Sequence, residues 1–315
     1  MDKMLFASSS PHIRTKQSTK SIMLDVLIAL APAGIASVYF FKFSAAKLIV
    51  LSILAAVATE YLIQKWRKQP ITIGDLSAVV TGLLLAFNLP ASAPWWIAVV
   101  GSVFAVGIAK QAFGGLGHNF INPALAARAM LVASWPVIMT GKWVTPGVDA
   151  IATATPLGQL KEGLDYTFTT QQLVMGNVPG CLGEVSALLL ILGGVYLIFR
   201  KIISWRIPTT YVATVAIFMM ISGQGLNGTL THILAGGLML GAFFMATDYA
   251  SSPVSPKGQI IYGVGCGVLT AVIRLYGGYP EGVSYSILLM NLAAPLIDKY
   301  TRPKVFGTRE VKSNA

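Results

Sequence analysis

Long apolar segments alternate with short polar connections along most of this chain. Ten candidate segments run near 22–41, 46–64, 76–89, 94–112, 123–140, 183–200, 207–222, 230–247, 258–276 and 284–298. Because a helix needs about 20 apolar residues to cross a bilayer, the pattern predicts an all-α, polytopic membrane protein with about ten transmembrane helices.

The two halves of the chain share an order of features. Segment 82–90 parallels segment 237–245, and each is followed by a complete span and then by a glycine pair, at 114–115 and 277–278. Each half contains five spans, and an odd number of crossings makes the second half enter the membrane from the opposite side. The pattern therefore predicts two inverted five-helix repeats. Span three is too short to cross alone and stops at Pro90. We therefore expect spans three and eight to be broken helices that meet near the midplane.

Composition agrees with a protein dissolved in lipid. Hydrophobic residues make up 55% and charged residues 11% of the chain, against about 45–50% and about 25% in globular domains. The first residues are polar and precede a full-length span, so no cleavable signal peptide is expected.

The distribution of charge predicts the topology. Most of the 23 Lys and Arg residues fall in the two tails or in the even-numbered connections; those on the opposite side are Lys42, Lys47, Lys142, Lys161 and Arg274, and Arg128 lies within a span. The positive-inside rule then places both termini in the cytoplasm.

The predicted parts are a cytoplasmic tail 1–21, a first membrane repeat 22–140, an outer loop 141–182, a second repeat 183–298 and a cytoplasmic tail 299–315. The net charge of +11 sets topology and does not predict a nucleic-acid partner.

The two cysteines, Cys181 and Cys266, have no spacing typical of a zinc or iron–sulfur site. We expect no metal in this chain, and any metal cluster would belong to another subunit.

Segment 110–128 is unusually dense in polar and glycine residues for a membrane protein. Asn119 and Asn122 offer donors and acceptors that match the amide edges of a flavin ring. Arg128 is expected inside the next helix, where a charge is usually paired or functional. Asp248, near the end of span eight, is a candidate wall residue of the cavity that Asn119 and Asn122 would line. The alternative is a turn in which the asparagines cap helices, and the lone His118 is more often structural than a ligand. Further acidic residues near span ends are assigned no role; they are Asp25, Glu60 and Glu184.

Three stretches resemble the RnfD/NqrB family of integral membrane subunits, which belong to bacterial complexes that couple redox chemistry to ion pumping. They are the glycine–asparagine–proline stretch 113–125, the stretch 244–248 and the tail 9–14. The similarity covers nearly the whole chain, and the short tail before the first span is closer to the RnfD branch.

The resemblance implies covalent FMN, joined through a phosphoester to the last threonine of a pattern like Asp-x-x-Ser/Ala-Gly-Ala-Thr. That pattern maps onto Asp149, Ala152, Ala154 and Thr155, with Thr153 standing where glycine is usual. Thr155 is favoured and Thr153 is the lesser possibility. No histidine, lysine or cysteine in segment 149–156 could activate a hydroxyl, so the segment suits an external flavin transferase. The alternative is an ordinary polar loop in which Thr155 precedes a proline.

The resemblance also implies a second, non-covalent, riboflavin-like flavin near Asn119, Asn122 and Asp248. Electrons would pass from an outer-face flavoprotein through both flavins to a cytoplasmic NAD-reducing subunit, with membrane iron–sulfur subunits as further partners. The whole complex, in the bacterial inner membrane, would couple ferredoxin:NAD oxidoreduction to Na⁺ or H⁺ movement. This chain would supply no catalytic residue and have no complete activity alone.

Two other classes of function stay open from the sequence alone. Inverted five-span repeats with broken helices also suit a small-solute channel or transporter of urea-channel-like architecture. The third possibility is a structural membrane scaffold.

Overall fold

The structure, a computed structural model, describes residues 17–146, 154–163, 168–278 and 281–303. Within these ranges the chain is helical and forms no β-strand, although a β-bridge pairs Pro90 with Cys181. The all-α prediction is therefore confirmed. The tail motif 9–14 and the predicted residues Asp149, Ala152 and Thr153 lie outside the described residues.

Thirteen α-helical segments and two separate 3-10 helices, Ile73–Asp75 and Leu182–Glu184, form the described fold. The α-helical segments are α1 Thr19–Trp66, α2 Ser77–Phe87, α3 Trp95–Phe113, α4 Pro123–Ser134, α5 Pro136–Thr140, α6 Pro156–Glu162, α7 Thr170–Met175, α8 Ala187–Phe199, α9 Arg206–Ile221, α10 Gly225–Leu234, α11 Leu238–Met245, α12 Pro256–Tyr276 and α13 Val283–Thr301. α1 packs against α2, α3 and α8, while α12 packs between α9 and α13.

Three of these helices, α1, α3 and α12, are long and apolar enough to cross a membrane, and the bent pair of α10 and α11 would be a fourth span. Helix lengths thus support a multi-pass membrane protein without reproducing the predicted count of about ten. The apolar helices of 10–17 residues, such as α4 and α8, are shorter than a full crossing.

α1 contains the first two predicted spans. Its 48 residues are interrupted at Lys42, whose backbone has φ of 51° and ψ of −133°. A right-handed helix cannot continue through that conformation. The break falls between the predicted spans 22–41 and 46–64.

α2 is about half as long as a helix that crosses a bilayer, as the position of Pro90 predicts. It has 11 residues, begins after Leu76 in the left-handed conformation and ends at Asn88. It also packs closely on α1, because a Cβ added to Gly82 would lie 2.8 Å from the backbone oxygen of Ser52. Only glycine permits this approach between the two backbones.

The predicted eighth span is broken. α10 and α11 are bent by 55° at Gly236 and Gly237, whose φ angles are +66° and +68°. The buried Arg274 of α12 donates to the backbone oxygens of His232, Ala235 (3.3 Å) and Gly236 (3.0 Å). A guanidinium group therefore replaces hydrogen bonds that the helix loses at its break.

The ends of the two short helices meet. Asn88, at the end of α2, donates from Nδ2 to Sδ of Met245, the last residue of α11, at 3.7 Å. The segments that the sequence pairs as repeats, 82–90 and 237–245, are therefore in contact at their carboxyl ends.

Replacing Arg274 with Gln should destabilise the protein, because carbonyl groups at the break lose their charged donor. Hydrogen bonds to charged groups each contribute about 1.5–3 kcal/mol, so the expected loss is about 3 kcal/mol or more. Thermal unfolding of the purified protein in detergent measures it. Arg302→Gln, at an exposed position, is the control; equal unfolding temperatures for the two variants would contradict the role given to Arg274.

Candidate functional site

Thr155 begins helix α6. Its Oγ1 accepts a hydrogen bond from the backbone N–H of Gly158 at 3.1 Å, and Pro156 occupies the first helical position. Threonine at the N-cap and proline directly after it are typical of helix starts. Thr155 is 7% exposed, so the N-cap hydrogen bond holds its hydroxyl in a buried position.

A cavity of about 500 Å³, the Thr155 cavity, opens beside this hydroxyl. Residues from α4, α5, α6 and the start of α13 form its walls: Arg128, Ala129, Val132, Thr140, Gly141, Trp143, Ala154, Thr155, Gly158, Glu162, Gly278, Glu281, Ser284 and Tyr285. Small-molecule sites are mostly apolar clefts of about 300–1,000 Å³ with a few polar groups. The cavity is large enough for an FMN tethered at Thr155, and its wall offers aromatic and hydroxyl groups, one cation (Arg128) and two carboxyl groups (Glu162 and Glu281).

Arg128 of α4 lies at the end of this cavity. Its side chain is 8% exposed and forms an ion pair with Glu281, just before α13. Its Nη1 also donates to Oδ1 of Asn88 at 2.7 Å. The expectation that a charge in this helix is paired is confirmed, and the partner is a carboxylate 153 residues away.

The other three predicted residues line a second cavity, the Asn119 cavity. Asn119 donates from Nδ2 to Oδ2 of Asp248 at 3.2 Å, and Asp248 also accepts from Oγ of Ser251 at 2.9 Å. Burial raises the pKa of the Asp248 carboxyl, while the hydrogen bonds from Ser251 and Asn119 act against that shift. Polar and charged residues in the wall are Ser77, Thr81, Lys110, Asn119, Asn122, Thr247 and Asp248.

Asn122 is the N-cap of α4. Its Oδ1 accepts from the N–H groups of Ala124 (3.0 Å) and Leu125 (3.2 Å), and its Nδ2 donates to the backbone oxygen of Met245 at 3.3 Å. The capping alternative accounts for these contacts, so Asn119 has more hydrogen-bonding capacity left for a ligand. The cavity encloses about 100 Å³. Its polar groups fit a flavin, but its volume admits the ring only if wall side chains move.

A buried ion pair to which the sequence pattern assigned no role borders the Asn119 cavity. Nζ of Lys110 lies 2.9 Å from Oε2 of Glu60 and 2.6 Å from Oγ of Ser77, and Gln111 donates to Glu60 Oε1 at 2.8 Å. Lys110 and Glu60 are each 1% exposed. The signal in the sequence is one acidic and one basic residue within apolar spans, the second and the fourth, where ionisable residues usually pair with one another.

His118 is exposed and lines neither cavity, which agrees with its structural interpretation. Close to the Thr155 cavity, ligand atoms of Cys181, Glu184 and Glu281 lie within 4.8 Å of one another. The ion pair between Arg128 and Glu281 places a cation beside that group, so the group carries no metal assignment.

Comparison with known proteins places the chain among redox-complex subunits. The model of the "NQR2, RnfD, RnfE family" matches residues 6–307. Three relatives are each the subunit designated D of their complex. The one from the Na⁺-translocating ferredoxin:NAD⁺ oxidoreductase complex of Acetobacterium woodii is 59% identical, over 99% of this chain and 98% of the relative. The one from the proton-translocating ferredoxin:NAD⁺ oxidoreductase complex of Clostridium ljungdahlii is 49% identical over 96% of both chains. The one from the ion-translocating oxidoreductase complex of Erwinia tasmaniensis is 38% identical over 97% and 99%.

Replacing Lys110 with Met should destabilise the protein by about 3–5 kcal/mol, because it leaves the Glu60 carboxylate buried without its cation. The double variant Lys110→Met/Glu60→Leu should recover most of the loss, since apolar residues of similar volume often replace a buried pair without cost. Thermal unfolding of the complex in detergent compares the two. A double variant no more stable than the single one would show that the pair is not the source of the effect.

Proposed function

Because this chain belongs to the NQR2, RnfD, RnfE family, we propose that it is the membrane electron-transfer subunit of an ion-translocating ferredoxin:NAD oxidoreductase. Relatives of nearly equal length carry that complex in their names, with Na⁺ in one and H⁺ in another. The chain contributes sites and helices to a larger assembly and has no complete activity alone.

The covalent cofactor in this proposal is FMN, joined through its phosphate to Oγ1 of Thr155. The observation that carries the assignment is the cavity of about 500 Å³ beside this hydroxyl. Thr155 would fix one end of the cofactor, Trp143 would supply an aromatic wall, and Arg128 a buried positive charge. FMN when bound supplies one- and two-electron chemistry, and the protein's part is placement and electrostatic tuning.

The attachment requires a flavin transferase and an open arrangement of the loop. Among the described residues, no general base contacts the threonine hydroxyl, whose Oγ1 accepts from the Gly158 N–H. At 7% exposure it is also too buried for an enzyme to reach. Attachment therefore precedes the packing of α6 against the cavity, or occurs while this segment is displaced.

The second cofactor in the proposal is a non-covalent, riboflavin-like flavin in the Asn119 cavity. Asn119 and Asp248 supply an amide and a carboxyl side by side, which suits the donor and acceptor edge of an isoalloxazine ring. The wall residue Leu116 is 38% exposed, so its displacement would widen the cavity with little loss of packing.

The two sites lie on one proposed electron path. From the predicted inverted repeat and charge distribution, Thr155 is expected towards the outer face and Asn119 towards the cytoplasm. Electrons would enter from an outer-face flavoprotein and leave to a cytoplasmic NAD-reducing subunit, with membrane iron–sulfur subunits in the same complex. Contact between the ends of α2 and α11 supports two broken helices that meet near the midplane.

Variants of Thr155 test the covalent cofactor. The denatured wild-type polypeptide, from a host that carries the transferase, should fluoresce in a gel under ultraviolet light. Thr155→Asn should abolish that fluorescence while it keeps an N-cap for α6, because asparagine is as good a cap as threonine. Thr155→Ser keeps both the hydroxyl and the cap and should retain fluorescence.

Thr153→Val, made alongside, should fluoresce like the wild type. Fluorescence that persists in Thr155→Asn and disappears in Thr153→Val would move the attachment to Thr153. A wild-type band without fluorescence would favour the small-solute channel or transporter over an electron carrier.

Asn119→Leu tests the second flavin. The flavin released from the denatured complex should fall by one equivalent relative to wild type, because the cavity loses its amide, while gel fluorescence from Thr155 is unchanged. The matched control is Phe120→Leu, at a neighbouring position that is 41% exposed and does not line the cavity. Equal flavin release from both variants would remove the second flavin from this site.

A further inference from the structure

Arg128 stands out among the groups around Thr155. Among the described residues that line the Thr155 cavity it is the only one with a positive charge. It projects from α4 in an apolar helix bundle and its side chain is 8% exposed. An ionisable residue in a membrane-spanning segment is costly to bury and is a candidate functional residue even when it has a partner.

Two fixed groups hold the guanidinium at the cavity. Glu281 forms the ion pair with it, and Asn88 Oδ1 accepts from Nη1 at 2.7 Å. Glu281 itself lines the same cavity and its side chain is 17% exposed. The cavity therefore contains a positive charge whose strength depends on how far Glu281 neutralises it.

We propose that Arg128 sets the reduction potential of the flavin bound at Thr155 by stabilising the negative charge of its reduced form, and that Glu281 limits this effect. The inference rests on the proposed attachment of FMN to Thr155. It makes Arg128 a tuning residue and Glu281 the residue that positions and offsets it.

The charge balance gives the sign of the effect. A neutral oxidised flavin that takes two electrons and one proton from the reduced flavin of a partner subunit gains one negative charge, and the partner's flavin is left oxidised. Arginine stays protonated throughout, so its charge is the same before and after transfer. A nearby fixed cation stabilises the negatively charged reduced form more than the neutral oxidised form, which raises the potential.

A competing role for Arg128 is to bind the FMN phosphate. The phosphate carries the same charge in both redox states, so an arginine bound to it would affect how much flavin is attached and leave the potential unchanged. The potential and the attached amount therefore separate the two roles.

The experiment is a redox titration of the covalent flavin in the purified holo-complex, followed by its absorbance. At the potential where the wild-type flavin is half reduced, Arg128→Gln should lower the ratio of reduced to oxidised flavin about tenfold or more, equal to a shift of about 30 mV for a two-electron couple. Glu281→Gln should shift the potential in the opposite direction, since it leaves Arg128 uncompensated. The double variant should return towards wild type.

Two controls accompany these variants. Arg128→Lys keeps the charge and should shift the potential less than Arg128→Gln. Lys142→Gln removes an exposed charge next to the wall residue Trp143, and solvent screening should leave the potential unchanged.

Gel fluorescence of every variant distinguishes the possible failures. No fluorescence in the wild type would overturn the attachment at Thr155 itself. Full fluorescence with unchanged potentials in Arg128→Gln and Glu281→Gln would overturn the tuning role alone. If Arg128→Gln does not assemble, Glu281→Gln decides: an upward shift supports the proposal, and no shift or a downward one overturns it.

Discussion

Polar groups buried in an apolar interior must find partners inside the protein, and the geometry of both cavities depends on this constraint. Where the helix between α10 and α11 breaks, Arg274 donates to the carbonyl groups that the break releases. Where α2 ends, Asn88 joins Arg128, which in turn pairs with Glu281 before α13. These contacts connect segments that are far apart in sequence. They allow short, interrupted helices to persist in a membrane protein and leave room between them for ligands.

The same contacts link the two cavities. Arg128 lines the Thr155 cavity and binds Asn88, and Asn88 contacts the sulfur of Met245. The backbone oxygen of Met245 accepts from Asn122, which lines the Asn119 cavity. In the proposed function this series of polar and polarisable groups lies between two flavins. Residues that line one cavity are therefore connected, through these contacts, to residues that line the other.

Local sequence predicted the features that have local causes. Pro90 anticipates the short α2, and the repeat pattern predicted a broken eighth span, whose bend lies at Gly236 and Gly237. Helix α6, which starts at Thr155, was not predicted, because its segment was assigned to an outer loop. The partners of buried charges were not predictable in this way, because Arg128 and Glu281, or Lys110 and Glu60, meet only through tertiary packing. Asn122 shows the opposite difficulty: an asparagine before a proline suits both a ligand site and a cap, and the observed contacts are those of a cap. Helix lengths likewise depend on breaks that hydropathy alone does not locate.

The central claim is that Thr155 carries FMN, and mass spectrometry of the native protein tests it most directly. Trypsin should release the peptide 143–161 between Lys142 and Lys161, with Thr145, Thr153 and Thr155 as its hydroxyl residues. From a host with the flavin transferase, this peptide should carry one FMN less one water, and its fragments should place the group on Thr155. An unmodified peptide, or fragments that place the flavin on Thr153 or Thr145, would contradict the claim.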